Sequence, residues 1–98
     1  MPLTELALDG CVQLRNLELV RGLKTLQHLH IWGCKQIDDL APLKGMELHT
    51  IALNPRFIKK GWEVLWNMKI LETVDVGESR GIFPAAKFRE LYEKGEFK

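Results

Sequence analysis

The chain has 98 residues, 46% of them hydrophobic and 28% charged, which is enough for one globular domain with a modest buried core. Its 14 Lys and Arg residues nearly balance its 13 Asp and Glu residues, so the charge gives no reason to expect nucleic acid or an anionic membrane as a partner. No apolar run approaches the roughly 20 residues that cross a bilayer, and the N-terminus does not resemble a signal peptide. We therefore expect a cytoplasmic protein, unless a segment upstream of this sequence directs it elsewhere.

Apolar residues recur along the chain at intervals of 23, 22 and 23 residues. The first two sets of positions are Leu3, Leu6, Leu8, Cys11, Leu14 and Leu17, followed by Leu26, Leu29, Ile31, Cys34, Ile37 and Leu40. The next two sets are Leu48, Ile51 and Leu53, followed by Leu71, Val74 and Val76. The pattern L-x-x-L-x-L-x-x-C is typical of leucine-rich repeats. It predicts an α/β fold, a short solenoid arc with parallel strands on its concave face.

Each repeat predicts one short strand and a segment that returns the chain to the start of the next strand. We place these strands around residues 5–8, 28–31, 50–53 and 73–76. They should pair in parallel, because each is followed by a crossover rather than a hairpin turn. In the first two return segments the apolar residues are spaced about three apart, which favours irregular or 3₁₀ turns over a long α-helix.

The third return segment differs, because its apolar spacing predicts a helix over residues 59–68. Trp62, Leu65 and Trp66 follow Ile58 at the spacing of one buried helix face. We expect Trp62 to be buried and Trp66 to lie at the flank of the core.

A last helix is predicted to begin at Pro84 and to end near Gly95. This segment departs from the repeat pattern, as the covering element at the end of a solenoid does. We therefore predict a single domain over residues 1–98, with about four repeats over residues 3–80 and a C-terminal cap over residues 81–98. No comparable cap precedes Leu3, so the first repeat should present an uncovered edge.

Three stretches, LTELALDGC, IDDLAPLKGMELHTIAL and PAAKFRELYEKGEF, resemble the C-terminal leucine-rich repeat region of bacterial proteins, especially planctomycete serine/threonine kinases and related multidomain proteins. The phrase D-L-x-P-L-x-G-M recurs in that group, and its counterparts here are Asp39, Leu40, Pro42, Leu43, Gly45 and Met46. The closing run is similar at Pro84, Ala85, Ala86, Phe88, Tyr92, Gly95, Glu96 and Phe97. Residues 15–19 depart from the phrase, and the kinase motifs (a glycine-rich loop, H-R-D and D-F-G) are absent from this sequence. The resemblance therefore implies a repeat module and its cap, without phosphoryl transfer.

Two cysteines, Cys11 and Cys34, occupy the same position of successive repeats. Neighbouring strands lie about 4.8 Å apart, so a disulfide between them is geometrically conceivable. The simpler interpretation is that both are small apolar side chains buried beneath the turn. The repeats offer no further ligands at that position, so we predict no metal site there.

A catalytic alternative rests on the G-x-S-x-G motif around Ser79, which exposes a nucleophilic serine in α/β-hydrolases. The histidine base should follow the serine in that fold, whereas His28, His30 and His49 all precede it. Serine hydrolase-like activity at Ser79 is therefore the weakest of our functional hypotheses. We predict a protein that is not an enzyme, with no catalytic residues.

Stacking the repeats places polar and aromatic side chains in columns on the concave strand face, because alternate residues of a strand point to the same side. The predicted partner-binding residues are Glu5, Asp9, His28, His30, Trp32, Asn54 and Asp75. Trp32 is either an exposed interface residue or folded over its own turn. Two histidines flanked by Glu5 and Asp75 could hold a divalent metal, but a solvated polar face is the favoured interpretation. We therefore predict no metal and no cofactor.

The sequence thus predicts a noncatalytic protein–protein interaction module whose partner is another protein, neither nucleic acid nor membrane. The alternative is a structural terminal cap, or a fragment of a longer repeat array that self-associates through its uncapped N-terminal repeat.

Overall fold

Five short strands form one sheet in the computed structural model, which describes residues 3–77 and 81–96. The strands follow one another across the sheet in chain order: β1 (Glu5–Ala7), β2 (His28–His30), β3 (Thr50–Ala52), β4 (Thr73–Asp75) and β5 (Ile82–Pro84). The first four pair in parallel and β5 pairs antiparallel with β4. The predicted α/β class and the four predicted parallel strands are therefore confirmed, with each strand one residue shorter than expected.

The strand register reproduces the spacing of the apolar residues. Glu5 pairs with His28, His28 with Thr50, and Thr50 with Thr73. The central residues of β2, β3 and β4 are Leu29, Ile51 and Val74, and all three are buried. Burying one such side chain stabilises the fold by about 1.5–3 kcal/mol. The spacing of the sequence is thus the spacing at which each strand adds its central side chain to one core.

The segments between the parallel strands carry short helical elements. Single 3₁₀ turns lie at Glu18–Val20, Ala41–Leu43 and Pro55–Phe57, and the helix α1 spans Trp62–Trp66. The irregular turns expected in the first two return segments are confirmed. Helix α1 is shorter than the predicted 59–68.

Gly61 explains where α1 begins. Its φ of +86° is left-handed, so the backbone cannot be helical before Trp62. A Cβ at this position would lie 2.7 Å from the Leu40 backbone nitrogen, so the chain also passes too close for any other residue. Beside it, the Leu40 N–H donates to the Lys60 carbonyl over 3.2 Å, which joins the second and third return segments.

The C-terminal helix α2 (Ala85–Glu93) covers one end of the core, as predicted. Its Phe88 is fully buried, with its ring centroid 5.6 Å from that of Trp62 and 6.0 Å from that of Trp66. Tyr92 lies 4.6 Å from Trp62 between ring centroids. Trp62 is buried and Trp66 half-buried, as expected. Pro84 is the last residue before the helix rather than its first, because it also ends β5.

The opposite end of the sheet is open. Within the described residues β1 pairs with β2 alone, and the large apolar side chains Leu3, Val12 and Leu19 of this first repeat are exposed. Within residues 3–77 and 81–96, β1 is therefore an edge strand of the sheet. Over residues 3–77 and 81–96, the structure contains no helix with the length and apolar character that a membrane span requires.

Candidate functional site

The side of the sheet that points away from the core carries the first and third residue of every strand, since the central residue points inward. We call this surface the outer face. It consists of Glu5, Ala7, His28, His30, Thr50, Ala52, Thr73, Asp75, Ile82 and Pro84. The outer face thus brings together five of the seven residues predicted to bind a partner, if Trp32 is counted at its border. Glu5 is exposed there, and the two histidines are half-buried.

Trp32 lies at the C-terminal border of the outer face, where its ring is fixed by contacts with β4. Its Nε1 donates a hydrogen bond of 3.2 Å to the Asp75 carbonyl, so the ring reaches across β3. A Cβ at Gly77 would lie 3.0 Å from Nε1, which shows how closely the ring lies against that backbone. The His30 ring is 5.9 Å away between centroids. Trp32 is half-buried: its ring is neither fully exposed nor folded over its own turn, but lies across β3 with its Nε1 hydrogen-bonded to the end of β4.

Three of the predicted binding residues hold the turns that follow the strands. The Trp32 backbone N–H donates to Asp9 Oδ1 over 3.1 Å. The Gly33 N–H donates to Asn54 Oδ1 over 2.6 Å, and the Gly77 N–H donates to Asp75 Oδ1 over 2.9 Å. These side chains satisfy backbone donors that strand pairing leaves without a partner. They therefore have a structural role beside any contact with a ligand.

The histidines are arranged in pairs with neighbouring side chains. His28 Nδ1 and Thr50 Oγ1 are hydrogen-bonded over 2.7 Å. His49, which precedes β3, lies 6.2 Å from His28 between ring centroids, and its Nδ1 is 3.4 Å from Glu72 Oε1. In the described part of the chain, no group of three or more His, Cys, Asp or Glu side chains could hold a metal ion. The geometry thus lends no support to the metal alternative within these residues.

Ile82 is a residue of the outer face that the sequence did not identify. It lies opposite Asp75 in the antiparallel pair and is 64% exposed, the largest exposed fraction among the large apolar side chains of the described residues. The repeat spacing predicts only parallel strands, so β5 was expected to be part of the cap. The run Gly81-Ile82-Phe83-Pro84 does not alternate between polar and apolar residues, so its sequence gives no strand signal; the alternation of half-buried and exposed residues is seen only in the structure.

The predicted serine motif and the two cysteines do not belong to the outer face. Ser79 lies outside the described residues, together with its neighbours Glu78 and Arg80. Cys34 is buried as expected, whereas Cys11 is exposed, so the expectation that both thiols are buried is wrong for Cys11. Cys11 follows β1, the edge strand of the sheet within the described residues, whereas Cys34 follows β2, which is paired on both sides.

A groove of about 600 Å³ lies between the 3₁₀ turn at Ala41–Leu43 and helix α1. Its apolar lining includes Met46, Val64, Met68 and Ile70. The charged residues at its border are Lys44, Glu47, Glu63 and Lys69. Because these charges are balanced and their groups are exposed, the groove shows no preference for a ligand of one sign.

Comparisons of the chain with protein-family models, with curated proteins and with solved structures gave no match. The geometry of the outer face is therefore the basis for a functional proposal. That face combines an orientated Trp32, the half-buried His30 and the exposed Ile82 on one continuous sheet.

Proposed function

We propose that this chain is a leucine-rich repeat module that binds another protein through its outer face. Support for the repeat architecture comes from the strand register, in which equivalent residues 22 or 23 positions apart pair in parallel. The covering helix α2 at one end is the second supporting feature. The resemblance to the repeat regions of planctomycete kinases agrees with a recognition module carried by a larger protein.

The observation that supports binding is the row of outer-face residues His30, Ala52, Asp75 and Ile82, which pair in register across β2 to β5 and are bordered by Trp32. Aromatic residues contribute disproportionately to protein interfaces. The bond from Trp32 Nε1 to the Asp75 carbonyl fixes the ring before any partner arrives. Binding then costs less side-chain entropy than it would with a mobile ring. The exposed Ile82, which pairs with Asp75, adds apolar area that a partner can cover.

The test compares two isoleucines on different surfaces. Ile82 is 64% exposed on the outer face, and Ile70 is 41% exposed at the groove beside α1. The full chain, immobilised, is used to capture proteins from an extract of its source cells, with quantitative mass spectrometry of what is retained. We expect Ile82→Asp and Trp32→Ala each to lower specific capture by about tenfold or more, which corresponds to the loss of a residue central to an interface.

Ile70→Asp is the matched control and should leave capture unchanged. Circular dichroism of each variant confirms that the sheet is intact. Retention that persists in Ile82→Asp and Trp32→Ala, or that is lost only in Ile70→Asp, would exclude the outer face as the binding surface.

A second candidate function, self-association, is favoured by the open end of the sheet. Leu3 and Leu19 are 44% and 51% exposed, whereas the residues 23 positions further on, Leu26 and Pro42, are buried. Leu3 and Leu19 are therefore the apolar side chains that a further repeat or a second copy would cover. In this case the module acts as the terminal part of an array or as one half of a dimer.

A further inference from the structure

The thiol of Cys34 is held against the turn that contains Cys11. The Cys11 backbone N–H donates to the Leu8 carbonyl over 3.1 Å. The Cys34 thiol donates to the same carbonyl oxygen, with 2.9 Å between Sγ and O. The sulfur of Cys34 and the backbone of Cys11 therefore share one acceptor. Although Cys34 belongs to the second repeat, its side chain points back into the first.

The two turns that carry these cysteines are stacked in the same conformation. Gly10 and Gly33 both have a φ of +76°, and a Cβ on Gly33 would lie 3.4 Å from the Gly10 Cα. The Gly10 N–H donates to the Trp32 carbonyl over 2.8 Å, which continues the pairing of β1 with β2. Matched residues of such turns are about 4.8 Å apart, the spacing of neighbouring strands. Disulfides span Cα separations of about 4.4–6.8 Å, so the stacking of the two turns predicts a separation of Cys11 and Cys34 that a disulfide can bridge.

The two thiols differ in their access to solvent. Cys11 is exposed, Cys34 is buried, and both are free thiols. Burial raises the pKa of the Cys34 thiol; the Cys11 backbone N–H lowers it in part, and the Cys11 side chain and the Asp9 carboxylate raise it. At neutral pH Cys34 therefore keeps its proton and its bond to Leu8. Cys11 is the thiol that a dissolved oxidant reaches first.

We propose that Cys11 and Cys34 form an oxidisable pair, in which a hydroperoxide oxidises Cys11 and Cys34 then converts the product into an intramolecular disulfide. In the first step the Cys11 thiolate attacks one peroxide oxygen: an S–O bond forms and the O–O bond breaks. Sulfur loses two electrons to become a sulfenic acid. The peroxide is reduced, and its second oxygen leaves as hydroxide, or as alkoxide from an organic hydroperoxide, and takes up a proton.

In the second step the Cys34 thiol gives up its proton and its sulfur attacks the Cys11 sulfur. The S–S bond forms, the S–O bond breaks, and the hydroxyl group leaves with the proton of Cys34 as water. The disulfide joins the strand at the open edge, β1, to β2 at the turns next to Asp9 and Trp32. This site is independent of the proposed protein-binding function, since neither thiol belongs to the outer face.

The test treats the full chain with a small excess of hydrogen peroxide and measures its intact mass. Wild type should lose about 2 Da, the mass of two hydrogen atoms, and peptide mapping should find Cys11 linked to Cys34. Dithiothreitol should reverse the change. The melting temperature of the oxidised protein should rise by several degrees, because the new bond restricts the unfolded chain.

Two variants separate the steps. Cys34→Ser should stop at the sulfenic acid, with a gain of about 16 Da and labelling of Cys11 by dimedone. Cys11→Ser should resist oxidation, because its remaining thiol is buried. The peptide map of wild type does not depend on either variant folding. A wild-type protein that retains the sulfenic acid, that forms only disulfides between two copies, or that does not react would overturn the proposal.

Discussion

Asn54 shows how a single side chain joins the turns that follow two neighbouring strands, β2 and β3. Its carboxamide oxygen accepts a hydrogen bond of 2.6 Å from the Gly33 N–H, in the turn after the preceding strand. Gly33 lies where the strand pairing of β2 ends, so its N–H depends on this side chain for a partner. A buried or half-buried backbone donor left without a partner costs about 1–3 kcal/mol.

Replacing Asn54 by Ala should therefore lower the free energy of unfolding by about 1–3 kcal/mol, because it removes the acceptor of the Gly33 N–H. Asn54→Asp keeps an oxygen at this place and should recover much of the loss. Urea denaturation followed by circular dichroism measures both. The control is Asn67→Ala, a change of the same kind at an exposed residue. Equal stability of the Asn54 and Asn67 variants would contradict the role given to this bond.

Single residues also mark the limit of what the sequence could predict about the site. The spacing of the sequence gives Asp9, Trp32 and Asn54 equivalent positions, and in the structure each lies two residues after the end of its strand. The orientation of its ring depends on the Asp75 carbonyl, 43 positions further along the chain, and on the absence of a side chain at Gly77. Periodicity carries no information about such a contact. The exposure of Cys11 was missed because its surroundings depend on what lies beside the first repeat.

At the scale of elements, the regular spacing of apolar residues predicts the strands that recur with that spacing. It does not predict the strand that follows the last recurrence. The four parallel strands were expected within one residue, because each turns an apolar side chain toward the core at the same position of the period: Leu29, Ile51 and Val74 are buried, and Leu6 is partly buried against them. Strand β5 does not belong to the period. Only six residues separate it from β4, a connection too short for a parallel crossover, so the pairing is antiparallel. That reversal places Ile82 on the outer face, which is why the sequence did not identify it.

The start of helix α1 depends on the left-handed backbone of Gly61 and on the close packing around it. A comparison with Gly45 distinguishes these two effects. Gly61 and Gly45 share a left-handed backbone, with φ of +86° and +84°. A Cβ at Gly61 would meet the backbone nitrogens of Leu40 and Ala41 at 2.7 and 2.9 Å, whereas a Cβ at Gly45 would have no atom within 4 Å. Gly45→Ala therefore introduces backbone strain alone. Gly61→Ala adds a collision with a neighbouring segment that cannot rotate away.

We expect Gly45→Ala to lower the free energy of unfolding by about 1–2 kcal/mol, the cost of a left-handed residue that carries a Cβ. Gly61→Ala should lower the free energy of unfolding by more than Gly45→Ala does. It should also reduce the near-ultraviolet circular dichroism, to which Trp62 at the start of α1 contributes. Thermal and urea denaturation of the two variants in parallel provide the comparison. If the free energy of unfolding falls equally in both variants, the close packing at Gly61 adds nothing to the cost of its left-handed backbone.

At the scale of the whole molecule, the two ends of the sheet are unequal. One end is covered by β5 and α2, with Phe88 buried among the aromatic rings of α1 and α2. The other end presents β1, which pairs only with β2 within the described residues, beside exposed leucines and a valine. A head-to-tail chain of copies is disfavoured, because the covered end offers no equivalent surface. Two copies that meet through their open ends would bury the same patch on each, as a two-fold symmetric dimer does.

This asymmetry predicts a dimer that forms with increasing concentration. Sedimentation velocity of the full chain, with reductant present so that Cys11 forms no disulfide between copies, should show a sedimentation coefficient that rises with concentration. Leu19→Lys places a charge in the exposed patch and should weaken association by about tenfold or more, equivalent to about 1.4 kcal/mol. Ile70→Lys adds the same charge at an apolar residue of similar exposure in the groove beside α1, and should leave association unchanged. Wild type that stays monomeric at high concentration, or a dimer that Leu19→Lys leaves intact, would show that the open end is not a surface for self-association.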